Sequence, residues 1–253
     1  MDKIRRNERM SAMMKILAAK PNRIFTLSYF CDLFGSAKST MSEDIDILRD
    51  VVAHFGLGEL ETVTGAAGGV RYRTKVRRPE ARKFIGDLCQ QLSEEGRVLP
   101  GGFLYYSDIL STPEIVTRMG EIMATEYYAA APDFVLTMET KGIPVAFAAA
   151  HALGVPLVIA RRSSKVYEGS AVNINYVSGS SGHIETMSLS RRAVQEGQKC
   201  LIVDDFLKGG GTAKGMVDLM REFNVEVIGM TFVMSTAKPV TKRVMGEKSL
   251  MVM

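Results

Sequence analysis

Tryptophan is absent from this chain, and cysteine and histidine occur only three times each. Cys31, Cys89 and Cys200 are odd in number, far apart and set among apolar neighbours, with no Cys-x-x-Cys pair. That excludes a disulfide framework and predicts buried thiols in a reducing compartment. His54, His151 and His183 are equally scattered, so no His/Cys metal site is expected. No apolar run is long enough to span a membrane, and the first residues are too charged for a secretory leader. The sequence therefore predicts a cytoplasmic protein without a membrane partner. A strong overall charge is missing too: the balance is +4 over 253 residues. Any surface for a polyanion must be local.

What is present first is helical. A basic arm with Lys3, Arg5, Arg6 and Arg9 leads into apolar positions Ile4, Met10, Met13, Met14 and Leu17, which end at Lys20-Pro21-Asn22. Thr26 or Ser28 can cap a second helix through Phe30 and Leu33, which stops at Gly35. A third helix, starting near Ser36 or Ser39, places Met41, Ile45, Val52 and Phe55 at helical spacing until Gly56. The period then changes to two. Leu60–Val63 and Val70–Val76 read as strands around a glycine-rich turn, with Arg71, Arg73 and Lys75 on one face. Three helices and a hairpin predict a winged helix-turn-helix over 1–76. The third helix has an acid-free first turn, Lys38, Ser39, Thr40 and Ser42, which is the end a recognition helix presents to bases. Arg5, Arg6, Arg9, Arg71 and Arg73 are the expected phosphate contacts. A small helical domain with a solvated basic face is the alternative.

From Arg77-Arg78-Pro79 onward, strands and helices alternate. Phe134–Met138, Leu157–Ala160, Leu201–Val203 and Val225–Val233 are apolar strands separated by helical segments. This pattern predicts a parallel sheet covered on both faces, with ligands beyond the carboxyl ends of the strands. One such end reads Asp204-Asp205-Phe206-Leu207-Lys208-Gly209-Gly210-Gly211-Thr212 and opens a helix. The glycines let backbone N–H groups converge, and the helix start adds positive potential, so the turn suits a phosphate. The acidic pair suits hydroxyl groups or a hydrated Mg²⁺ instead. Glu139-Thr140-Lys141-Gly142 is a second short anion-binding turn. Arg161 and Arg162 follow a third strand end.

Val203 to Thr212 resembles the phosphoribosyl-pyrophosphate (PRPP) motif of type I phosphoribosyltransferases. The resemblance implies that Asp204 and Asp205 take the ribose hydroxyls, the glycine loop the 5-phosphate and Glu139–Gly142 the pyrophosphate. It identifies 163–192, with its glycine- and serine-rich Tyr176–Gly182 stretch, as the flexible arm of that fold. Together with the winged helix, the segments Glu139–Pro144, Glu168-Gly-Ser, Asn175–Ser181, Thr186–Leu189 and Asp204-Asp-Phe206 resemble the purine operon repressor family of Gram-positive bacteria. The implied fold class is α/β: an N-terminal winged helix-turn-helix plus a type I phosphoribosyltransferase-like domain over 77–253.

That resemblance implies a homodimer that binds operator DNA and uses PRPP, with or without Mg²⁺, as an effector rather than a required cofactor. Family members continue into further C-terminal structure, whereas this sequence closes at Leu250-Met-Val-Met253. Arg161 and Tyr105 join the expected ligand contacts; for Tyr105 and Tyr106, stacking on a base and packing in a core or interface both remain open, and Lys165 is a candidate phosphate contact. Lys208 adds a cation where catalytic relatives carry none, and contact with the ligand and a solvent-facing place in the loop both remain open for it. Another phosphorylated nucleotide, such as a guanine alarmone, suits the same cradles. No catalytic residue and no metal ligand is assigned. A working purine phosphoribosyltransferase and an RNA- or protein-binding module are the competing readings.

Overall fold

The computed structural model describes residues 4–65, 68–100, 103–164, 169–178 and 182–253. Lys3, Lys165, Glu168 and 179–181 of the sequence reading lie outside them. The chain divides into two compact units, the first comprising Met1–Arg78 with His151–Gly154 and the second Pro79–Ala150 and Val155–Met253.

The first unit has α1 (Arg6–Ala19), α2 (Leu27–Phe34), α3 (Lys38–Phe55) and the antiparallel strands β1 (Glu59–Val63) and β2 (Gly69–Arg73). This is the winged helix that the change of period predicts. Met13 and Leu17 of α1, Phe30 of α2 and Met41 and Val52 of α3 are almost fully buried, together with Leu60 and Val70 of the hairpin. Thr26 caps α2 by accepting the Tyr29 N–H at 3.2 Å. Ser36 does not cap α3, because its hydroxyl is spent on the Phe34 carbonyl; Ala37 holds the N-cap position. Gly35 and Gly56 close α2 and α3 in the left-handed conformation that L side chains resist. Phe25 exchanges two backbone hydrogen bonds with Val70, which adds a bridge to the hairpin.

The second unit opens with α4 (Arg78–Leu92), the short strands β3 (Val98–Leu99) and β4 (Phe103–Leu104), α5 (Ser107–Leu110) and α6 (Pro113–Thr125). Its sheet is built from β5 (Phe134–Met138), β6 (Leu157–Ala160), β9 (Lys199–Leu207), β10 (Glu226–Ser235) and β11 (Glu247–Val252). The strands run parallel in the order β11-β10-β9-β5-β6. Helix α7 (Ile143–Leu153) follows β5, and α8 (Gly211–Glu222) follows β9. Phe134, Leu136, Cys200 and Ile202 form a core with Met216, Leu219 and Met220 of α8. The alternate residues Val135, Leu201 and Val203 are fully buried as well, as a sheet covered on both faces requires.

The arm carries the long hairpin that the alternation in Ala171–Val177 and Ile184–Leu189 predicts. It contains a seven-residue antiparallel hairpin, β7 (Ala171–Val177) and β8 (Ile184–Ser190), whose Val172, Tyr176, Met187 and Leu189 belong to the same core as α8. A methyl group on Gly215 of α8 would lie 3.0 Å from the Tyr176 ring. The base of the arm is thus part of the packed unit, not a free flap. The closing residues also have a place in the sheet, because β11 pairs with β10 along one edge. No helix is long and apolar enough to cross a membrane among the described residues, and the three cysteines are free.

Candidate functional site

Strand β9 runs four residues further than the apolar run Leu201–Val203, because its ladder with β10 continues through Asp204, Phe206 and Leu207. The acidic pair therefore stands on a strand, not in a loop. Asp204 is 7% exposed. Its Oδ1 accepts the Asp205 N–H at 3.0 Å and the Thr137 hydroxyl at 3.4 Å. Burial, with the Asp205 charge second, pushes the Asp204 carboxyl well above the usual carboxylate range. The space over Asp204 is closed by Gly142: a Cβ there would sit 1.8 Å from Oδ1.

The turn between β5 and α7 is held at its first residue. Glu139 donates its N–H to the Ala160 carbonyl and accepts the Arg162 N–H on Oε1 at 2.7 Å, and its carboxylate lies 3.8 Å from Arg161. Glu139 thereby fixes the turn to the end of β6. The Glu139–Thr140 peptide bond is cis. On the other side, Gly210 adopts a left-handed conformation as the N-cap of α8 (φ 78°), and Gly209 accepts the Arg243 N–H at 3.1 Å.

A cavity of about 360 Å³ lies between these turns. It brings together Glu139, Thr140, Lys141, Asp204, Asp205, Phe206, Leu207, Lys208, Gly210, Gly211 and Thr212, all expected from sequence. Four expected residues do not line it. Gly142 packs beneath Asp204, and Gly209 spends its carbonyl on Arg243. Arg161 forms an antiparallel bridge with Ser188, so its neighbour Arg162 faces the cavity instead. Tyr105 is 46% exposed with its N–H on the Arg97 carbonyl, and Tyr106 occupies the site in its place. Strand β4 ends at Leu104, before the two tyrosines.

Tyr106 donates its hydroxyl to Asp205 Oδ2 at 2.7 Å. Burial and the Asp205 charge raise the phenol above its ordinary value, so it stays a donor. The Lys141 ammonium stands 4.6 Å from its ring centroid, and the Phe206 ring faces it at 6.4 Å and 21°. Tyr176 and Glu185 come from the arm. They are cross-strand partners joined by a 2.9 Å hydrogen bond, and the Tyr176 phenol is pushed up to about 12, first by burial and then by Glu185. The apolar alternation along β7 and β8 signals their hairpin in the sequence, but the register that pairs Tyr176 with Glu185 is fixed only in the structure.

In the winged helix, Lys38, Ser39 and Ser42 are exposed at the start of α3 and Thr40 is half-buried. Lys38 and Ser42 border a groove of about 660 Å³ whose other walls are the α2 N-terminus and the wing. Arg5 is exposed, and its N–H is bound by Glu8. The other basic residues are engaged internally. Arg9 is 7% exposed and paired at 2.8 Å with Asp44, whose side chain is fully buried. This corrects its expected phosphate contact: it faces the core. Arg6 holds the other oxygen of Asp44 and also Glu43. Arg71 forks onto Glu61, and Arg73 shares the same carboxylate, which these cations draw below its usual range. Arg49, not singled out in the sequence, ties α3 to Thr62 and the Leu60 carbonyl of the wing.

Comparison with known proteins gives two family matches. Residues 5–74 fit the model described as "Bacterial purine repressor, N-terminal", and 106–250 fit "Phosphoribosyl transferase domain". The chain is 44% identical to the purine biosynthesis transcriptional repressor of Bacillus subtilis, over 97% of this chain and 86% of that protein. It is 42% identical to a purine biosynthesis transcriptional activator of Lactococcus lactis, over 90% of this chain and 84% of that protein. Among solved structures, the adenine phosphoribosyltransferase of Thermoanaerobacter pseudethanolicus superposes with a TM-score of 0.57 at 22% identity. That alignment covers 66% of this chain and 99% of the enzyme, a likeness of fold.

Proposed function

The chain belongs to the bacterial purine repressor family, and from that premise we propose that this transcriptional regulator of purine biosynthesis senses PRPP and thereby changes its affinity for operator DNA. One observation carries the proposal: the acidic pair and the two anion-binding turns border a single cavity. In the proposed complex, Asp204 and Asp205 take the ribose hydroxyls. The amides of Gly210 to Thr212 take the 5-phosphate at the start of α8, and Thr140 and Lys141 take the diphosphate. Among the described residues no group of three His, Cys, Asp or Glu side chains forms a metal cage. Asp204 and Asp205 would face a Mg²⁺ ion brought in with a diphosphate ligand, and the ion would supply neutralisation of the phosphate charge.

On the DNA side, Lys38, Ser39, Thr40 and Ser42 read the operator from the start of α3, and Arg5 meets the adjacent backbone. Arg6, Arg71 and Arg73 contribute only what their internal carboxylates leave over. A homodimer supplies two such helices to a repeated half-site, in the bacterial cytoplasm where the operator lies. PRPP brings several negative charges, so its binding weakens operator binding electrostatically.

Operator titration with and without PRPP tests the reading, and equal affinities refute it. In a parallel assay, PRPP, Mg²⁺ and each purine base release no pyrophosphate; steady release supports the competing reading as a phosphoribosyltransferase. Displacement of PRPP by a guanine alarmone in the same titration decides whether the cavity serves a second nucleotide.

A further inference from the structure

We infer that Tyr106 competes with the ligand for the acidic pair and so sets the specificity of the cavity. The inference rests on the reading that Asp205 receives ribose hydroxyls. Asp205 Oδ2 already accepts a hydroxyl, that of Tyr106, at 2.7 Å. The donor comes from a different part of the unit, just before α5 and 99 residues away in sequence. Its ring is in contact with two neighbours, the Lys141 ammonium at 4.6 Å and the Phe206 ring at 6.4 Å. Tyr106 thus joins the diphosphate turn to the acidic pair.

A ligand must undo two contacts. Its hydroxyls meet a phenol already seated on Asp205 Oδ2 and compete with it for the lone pairs of that oxygen. Its diphosphate draws Lys141 from the ring face, because an ion pair with phosphate outweighs a cation–π contact. Each exchange loosens Tyr106 and makes the other easier, which couples the two halves of the ligand. A molecule with both a diphosphate and vicinal hydroxyls opens the site. One with a diphosphate alone meets the phenol still in place on Asp205.

The test uses the full chain with Mg²⁺ present throughout. Calorimetric titration of PRPP and of inorganic pyrophosphate is compared between the wild type and Tyr106→Phe, which keeps the ring and removes the hydroxyl. PRPP binding tightens about tenfold in the variant, the scale of a lost hydrogen bond to a charged group, while pyrophosphate binding changes by less than about twofold. Because the chain has eight tyrosines and no tryptophan, tyrosine emission gives an independent readout. PRPP raises emission in the wild type as the phenol leaves its quenching carboxylate, and Tyr106→Phe lacks that increment. Unchanged or weaker PRPP binding in the variant, or an equal rise in emission in both proteins, overturns the inference while leaving the PRPP reading intact. Absence of PRPP binding in both proteins overturns the PRPP reading and this inference with it.

Discussion

Arg9→Met separates the two roles a basic arm can have. Arg9 reaches Asp44 with Nε at 2.9 Å and a second nitrogen at 2.8 Å, and also bonds the Ile4 carbonyl. Asp44 is 0% exposed on α3, and its remaining partner is Arg6 at 2.8 Å. Removing the guanidinium leaves a buried carboxylate half-compensated. Because Arg6 stays, the cost is placed at the low end of the range for a broken buried pair, about 3 kcal/mol. That corresponds to roughly 150-fold faster hydrogen exchange for α3 amides that exchange through unfolding of this unit. The full chain can be used, since the readout is local to α3. Adding Asp44→Leu to Arg9→Met recovers most of the loss, because an apolar replacement of a buried pair is close to neutral. A phosphate contact predicts something different: unchanged exchange, with the slope of log affinity against log salt shallower by about 0.9. That outcome refutes the assignment of Arg9 to the core.

Three further outcomes follow from the same contacts. Asp204 is raised by burial, so the folded chain keeps a proton that the unfolded chain releases above about pH 4; stability falls as pH rises from there, and Asp204→Asn flattens that part of the curve and raises the melting temperature at neutral pH. Gly142→Ala sets a methyl group 1.8 Å from Asp204 Oδ1; it costs about 1–3 kcal/mol in thermal unfolding and abolishes the operator response to PRPP. Glu61→Gln releases Arg71 and Arg73, so operator affinity rises and its salt slope steepens by about 0.9 to 1.8, as read by fluorescence anisotropy at several salt concentrations.

The parts of the site that lie together in sequence were legible there. Asp204 to Thr212 and Glu139 to Gly142 announce themselves through glycine, charge and position after an apolar strand. Arg162 and Tyr106 stand out only beside Arg161 and Tyr105, and which of each pair faces the cavity, like the places of Tyr176 and Glu185, is decided by tertiary packing or a register that no local pattern fixes. Arg9 is a different kind of miss. It lies four and eight residues before Met13 and Leu17, on the face of α1 that is buried. Asp44 likewise shares its stripe with Leu48 and Val52. Two opposite charges on apolar stripes of neighbouring helices are the signature of an internal ion pair, and that periodicity outranks the count of basic residues in the arm. The wing is similar. Arg71 stands directly across from Glu61, so the basic face of β2 is half neutralised by β1 once the register is known.

Compensation of charge also explains how an acidic pair can sit beside two phosphate cradles. In the winged helix, Arg6, Arg9, Arg49, Arg71, Arg73 and Lys75 each stand against a carboxylate. In the cavity, Lys141 lies over a ring and Lys208 lines the wall, and among the described residues neither forms an ion pair. Opposite them, Asp204 resists ionisation because it is buried beside Asp205. The pair therefore carries less negative charge than two free carboxylates, and the field it directs at the cradles is correspondingly weaker. Unpaired cations, converging amides at the α8 N-terminus and a subdued acidic pair together favour a polyanion that also carries hydroxyl groups. Full exposure of Asp204 would restore its charge and set it against the phosphates. On the proposed reading, the burial that the lack of a side chain at Gly142 permits is thus a condition for binding such a ligand, beyond its role in packing.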